Sequence, residues 1–112
     1  DLDGAMTQMR AALDQLHDLG NGGCMAHALE GVAIVLVQRG ENDGGAELVG
    51  AARRLRENSG AAPRPWETDA TERCLADLRS SLDGPRFDAA VARGRELGMG
   101  EVVDRARELD TR

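Results

Sequence analysis

Lysine and tyrosine are absent, and the aromatic complement is one tryptophan, Trp66, and one phenylalanine, Phe87. The missing lysine excludes a phosphate-binding loop of the GK[ST] kind, whose lysine reaches the nucleotide phosphates. Aromatics make up 2% of a chain that is 41% hydrophobic, so a core must be assembled from alanine, leucine, valine and methionine. Such side chains let helices approach closely, whereas sheets favour aromatic and β-branched residues. The two cysteines, Cys24 and Cys74, lie far apart and form no CxxC pair; a reduced, cytoplasmic setting is expected in place of a disulfide framework. No apolar run approaches the roughly 18 residues that span a bilayer. The longest, residues 32–37, reads as part of a buried helix. All the basic residues are arginine, and acid outweighs them to a net charge of −6, the opposite of the basic footprint that non-specific nucleic-acid binding requires.

What is present is helical periodicity punctuated by glycine and proline. Met6, Met9, Leu13 and Leu16 recur at spacings of three and four and predict a helix over 4–19, closed by Gly20-Asn21-Gly22-Gly23. A second helix is expected over 24–39, with Leu29, Val32, Ala33 and Leu36 on one face and Ile34, Val35 and Val37 on the other, apolar nearly all round and therefore central. Its β-branched run leaves a strand over 32–37 as the rival, which the flanking pattern outweighs. Gly40 ends it. Asn42 or Asp43 is the expected cap of a helix over 44–58, with Leu48, Val49, Ala52 and Leu55 inward, stopped by Ser59-Gly60. Residues 61–65 read as an extended connector. A fourth helix over 66–82 turns Thr71, Cys74, Leu75, Leu78 and Leu82 inward. Pro85 suits the first turn of a fifth over 85–97 that buries Phe87, Ala90, Val91 and Leu97. After Gly98, Val102, Val103, Ala106 and Leu109 mark the inner side of a short sixth.

The unit at 24–58 resembles a tetratricopeptide repeat. With Gly40 at the turn, large and small residues fall on Leu29, Val32, Ala33 and Leu36, and then on Gly45, Val49 and Ala52, where paired helices cross. Gly45 stands where alanine is usual. A wider resemblance covers about 28–108. The string ALEGVAIVLVQRGENDGGAELVGAARRLRENSGAAPRP, followed later by LDGPRFDAAVARGREL, is similar to the C-terminal helical region of large bacterial regulators. Those carry a signal-transduction ATPase module, tetratricopeptide-like repeats and, in some, a LuxR-type helix-turn-helix. The arginine-only basic usage fits a high-GC, actinobacterial source. The resemblance implies a piece of a longer protein that binds a protein partner or the regulator's own ATPase module. Gly98 departs from it, standing where Ser or Thr tends to cap, so the last helix is expected to fray. Gly44-Gly45 weakens the start of the third helix. No segment reads as a LuxR-type recognition helix.

Candidate chemistry is sparse. Cys24 and His27 share a helix face and would be half of a zinc site, but completing it needs His17, Cys74 or carboxylates, so a buried Cys beside a surface His is preferred. His27 and Glu30 have the spacing of a base and its orienter, yet no nucleophile stands beside them, and a helix-surface hydrogen bond is the better account. Arg53, Arg54, Arg56 and Arg64 are candidates for an acidic partner or a phosphate; solvated arginines bridged to Glu57 or Glu67 are the plainer reading. Trp66 is a candidate partner anchor or a cover for the connector. The stripe of Met6, Met9, Leu13 and Leu16 is core, or a self-association surface if a preceding repeat is missing.

The sequence thus predicts a single all-α domain over 1–112: five or six antiparallel helices in an array or bundle, with a tetratricopeptide-like hairpin at 24–58 and a helical cap at 66–110. The expected function is a non-catalytic interaction and regulatory module with no cofactor, no metal, no membrane contact and no direct nucleic-acid binding. Homodimerisation of this piece is a further expectation. The alternatives are a small-ligand sensor with an apolar pocket between the second, third and fourth helices and, last, a small helical enzyme.

Overall fold

Gly40 sets the first corner. Its φ of 88° lies in the left-handed region that glycine enters at little cost. The Gly40 N–H donates to the Val37 carbonyl at 3.0 Å and the Glu41 N–H to the Leu36 carbonyl at 2.8 Å. These paired bonds close one helix in a Schellman turn and launch the next. The computed structural model describes residues 22–60 and 65–110, with isolated helical positions at 4, 7, 8, 11, 12 and 15. Within 22–110 the chain forms five helices: α1 (Gly22–Gln38), α2 (Asn42–Ser59), α3 (Pro65–Ser81), α4 (Gly84–Arg95) and α5 (Met99–Asp110). Among the described residues there is no strand, and the β-branched run at 32–37 lies inside α1. The predicted stripe of Met6, Met9, Leu13 and Leu16 lies outside the described residues.

One core joins all five helices. Met25, Leu29, Val32, Ala33, Val35 and Leu36 of α1 are buried, as are Cys74, Leu75 and Leu78 of α3, Phe87 and Ala90 of α4, and Val102, Val103, Ala106 and Leu109 of α5. The radius of gyration of 12.6 Å matches the ~13 Å of a globular chain of this length.

The centre is α2, not the more apolar helix before it. It touches each of the other four described helices, and nine consecutive residues from Gly44 to Ala52 are buried. Small side chains make this work. A Cβ added at Gly50 would lie 2.2 Å from the Val91 carbonyl oxygen, and one at Gly94 would lie 1.7 Å from that of Glu47. At both points α2 and α4 touch backbone to backbone, a closeness that only residues without side chains allow. Gly45, the residue expected to fill the small position of the hairpin, meets α1 at Val37 and Ala33. The α1 helix keeps an outer line instead, with His27 and Gln38 exposed and Gly31, Ile34 and Val37 partly so.

Two caps differ from expectation. Residue Glu41 stands at the cap of α2 without a side-chain capping hydrogen bond, and Asn42 and Asp43 fall inside the first turn. Gly98 is answered by Glu101, whose Oε1 accepts the Gly98 N–H at 3.0 Å. That is the return half of a capping box, and α5 forms over its full length where fraying was expected. Asp83 caps α4 conventionally, its side chain accepting from the Arg86 N–H at 2.8 Å. Val91 and Leu97 pack against the core only partly buried.

Candidate functional site

Two buried glutamates organise the polar interior. Glu30 follows Leu29 on α1 and is buried. Its Oε1 accepts from Arg56 of α2 through Nε, at 2.8 Å, and through Nη2. Its Oε2 accepts from the Thr71 hydroxyl of α3 at 2.8 Å. Glu47 of α2 is buried as well. It accepts from Arg105 Nε of α5 at 2.8 Å and from Arg93 Nη2 of α4 at 3.3 Å. The hydrogen bond to Glu47 is the main reason that Arg105 holds its proton more firmly than a free arginine. Each carboxylate therefore ties three helices together, and a buried charge of this kind persists only when paired and hydrogen-bonded.

This arrangement redistributes the predicted arginine patch. Arg53 and Arg54 are exposed, and Arg54 Nη1 donates to the Arg95 carbonyl. Arg56, expected to face water, turns inward to Glu30 with a side chain only 13% exposed. Glu57, the expected bridge for these arginines, is gripped at 2.8 Å by Arg95 of α4. That hydrogen bond is the chief cause lowering its pKa, with Arg53 and Arg54 acting through space. The three α2 arginines thus split between two faces. Arg64 and the Trp66 side chain lie outside the described residues.

The remaining candidates part company too. Glu30 is buried with its carboxylate on Arg56 and Thr71, while His27 is exposed. Cys74 is a free, buried thiol. Burial, reinforced by the charges of Asp77 and Glu30, pushes its pKa up to about 11, which leaves it protonated and a poor nucleophile near neutrality. The Cys24 side chain and His17 fall outside the described residues. Among the described residues no three His, Cys, Asp or Glu side chains stand together as a metal site, and no helix is long and apolar enough to cross a membrane.

Among the described residues, one concavity lies between α1 and α3. Ile34, Val37 and Gln38 line one wall and Arg73, Cys74 and Asp77 the other, around a half-open groove of about 340 Å³. Its lining mixes two aliphatic side chains and a thiol with an amide and one charge of each sign. The sensor alternative had placed a pocket among the second, third and fourth predicted helices; the described lining comes from α1 and α3 alone. A smaller concavity of about 170 Å³ sits where Leu55 and Arg54 of α2 meet Leu97 and Val102.

No family model, no curated protein and no solved structure matches this chain.

The two carboxylate joints escaped the sequence reading, although a signal was there. Glu30 interrupts a helix that is apolar nearly all round, and a carboxylate in that position demands a partner. The spacing of Thr71 with Cys74, Leu75 and Leu78 predicts it inward, where it meets that carboxylate. Nothing local pointed to Arg93 or Arg105, which lie 46 and 58 residues from Glu47.

Proposed function

We propose that this chain is a non-catalytic protein-interaction and regulatory module, and that the α1–α3 groove is where a partner docks. The observation that carries it is the groove's lining, where apolar Ile34 and Val37 of α1 and the Cys74 thiol of α3 stand beside Gln38, Arg73 and Asp77. Apolar centres with polar rims are the anatomy of protein interfaces, and amphipathic helices are recognised by such grooves. The partner proposed is a helix of another protein or of a neighbouring domain in the same polypeptide. The resemblance to the C-terminal tetratricopeptide-like region of bacterial, LuxR-type transcriptional regulators supports that setting and a cytoplasmic location. In it, docking would bias an on/off equilibrium of a distant ATPase module. The α1–α2 hairpin, with Gly45 against Ala33 and Val37, is consistent with a repeat-derived unit.

A library of displayed amphipathic helical peptides, selected against the chain, tests the reading. Selected peptides should lose binding by tenfold or more to I34D and V37D variants and keep it with R53A and R54A. Peptides that bind all four equally, or a library that yields no binder, would sink it.

The groove volume also favours a second reading, since small-molecule sites begin at about 300 Å³. A sensor would show a ligand-dependent rise in Tm that I34D abolishes.

A further inference from the structure

We propose that the α1–α3 groove selects a helix whose apolar stripe is flanked by one acidic and one basic side chain a single turn apart, the acid beside Arg73 and the base beside Asp77. This rests on the docking reading and adds to it the charge pattern of the partner. Exposure sorts the groove's lining. Cys74 is buried, Ile34 and Val37 are partly buried, and Gln38, Arg73 and Asp77 are exposed. At about 340 Å³ the groove has room for anchoring side chains, whereas a helix with its side chains is about 10 Å across. The partner's backbone therefore stays outside, level with the exposed members of the lining.

Arg73 and Asp77 are four residues apart on α3, about 6 Å along its axis. No ion pair joins them among the described residues. The Arg73 Nε instead donates back to the Asp69 carbonyl at 3.4 Å, toward the start of the helix and away from Asp77. Elsewhere, arginines that reach across to another helix meet their carboxylates within the chain, as Arg56 does on Glu30, Arg86 on Asp43 and Arg95 on Glu57. At the groove, one charge of each sign is left at the surface beside the apolar anchoring points. The groove has two distinct ends, because α1 and α3 run the same way along it. Thr71 meets Glu30 at one end, and Val37 and Leu78 both approach Gly45 at the other. Arg73 lies nearer the first end and Asp77 nearer the second. A helix bearing two acids or two bases there sets a like charge against one of them, and such juxtaposition selects against a partner. An opposite pair one turn apart meets both, and it also supports the partner's own helix.

The probe is a displayed library of helical peptides with a fixed leucine stripe and Glu or Lys at each of two flanking positions four residues apart. On the parent chain, opposite pairs should be recovered about tenfold over like pairs, a few-fold coming from each exposed contact. On D77R the preference should move to two acids, and on R73E to two bases. Asp88 is exposed on α4, outside the groove's lining, so D88R makes the same change of net charge and should select as the parent does. All three positions are exposed, where substitutions change stability little, and unchanged urea midpoints check that. At about 1 M salt, where the screening length falls to about 3 Å, the preferences should fade. The same pair composition on parent, D77R and R73E, or a shift in D88R equal to that in D77R, overturns the proposal while I34D-sensitive binding leaves the docking reading standing. Binding that I34D does not weaken, or a library without binders, overturns both.

Discussion

Gly94 of α4 rests on the main chain of α2 at Glu47, so closely that a Cβ at position 94 would stand 1.7 Å from the Glu47 carbonyl oxygen. The obstacle is backbone and cannot swing aside. Replacing Gly94 with alanine should force the two helices apart. The overpacking cost of about 1–3 kcal/mol or more exceeds the roughly 1 kcal/mol that alanine returns in helix propensity. Urea unfolding should show a clear loss for G94A and for G50A. The contrast is G84A, where an added Cβ meets nothing within 4 Å beyond its chain neighbours; its cost is confined to the local crowding of a helical residue before Pro85 and should stay below that of the other two. Equal midpoints for all three would refute the backbone-contact account of the fold.

The Glu30–Arg56 pair makes a contrast between breaking and replacing a charge pair. Both side chains are nearly buried, 10% and 13% exposed. Arg56→Met alone strands the carboxylate and should cost about 2–4 kcal/mol. Glu30→Met with Arg56→Met removes both charges together and should fall within about 1 kcal/mol of the parent. Denaturant midpoints for the two singles and the double give the coupling directly. An additive double variant would mean that the pair is not one unit.

Asp83 is a local device and should behave as one. Its carboxylate accepts the Arg86 N–H at 2.8 Å. Asp83→Ala should cost about 1 kcal/mol, and Asp83→Ser should recover most of it. The check is the thermal midpoint. A loss above roughly 3 kcal/mol would point to a role beyond capping.

Asp43 carries a pH signature. Its hydrogen bond to Arg86 is the chief cause holding its carboxyl below the usual aspartate range. A carboxyl whose pKa is lower in the folded chain contributes stability above its unfolded value, roughly 3.9, and loses it as pH falls through the folded value. Arg86→Gln should therefore destabilise only slightly at pH 7, because the pair is on the surface and screened by solvent. The difference from the parent should close in acid below that range. Unfolding curves from pH 7 down to strong acid test the sign; a gap that widens on acidification contradicts it.

Much of the helical frame was legible because its causes are local. Gly40 and Gly60 adopt positive φ where the sequence placed helix ends, and Val102, Val103, Ala106 and Leu109 are all buried as their spacing required. Thr71 was read inward, but its partner was not. The cap of α2 was misread because Asn42 and Asp43 have capping chemistry, yet the Schellman turn at Gly40 starts the helix one residue earlier. The candidate site was hardly legible. Ile34 and Val37 belong to a helix whose all-round apolar pattern predicts a central place, yet they are only partly buried and line a groove against α3.

By itself, then, the sequence determined an all-helical chain with a small-residue core and most helix ends, because propensity, periodicity and capping act within a few residues. The tertiary structure alone decided that α2 is the centre, that Glu30 and Glu47 each join three helices, and that Arg56 faces inward while Arg53 and Arg54 do not. Those outcomes depend on which helix lies against which face. Their partners lie 26 to 58 residues apart, a distance over which local periodicity carries no information and only close packing selects the pairings.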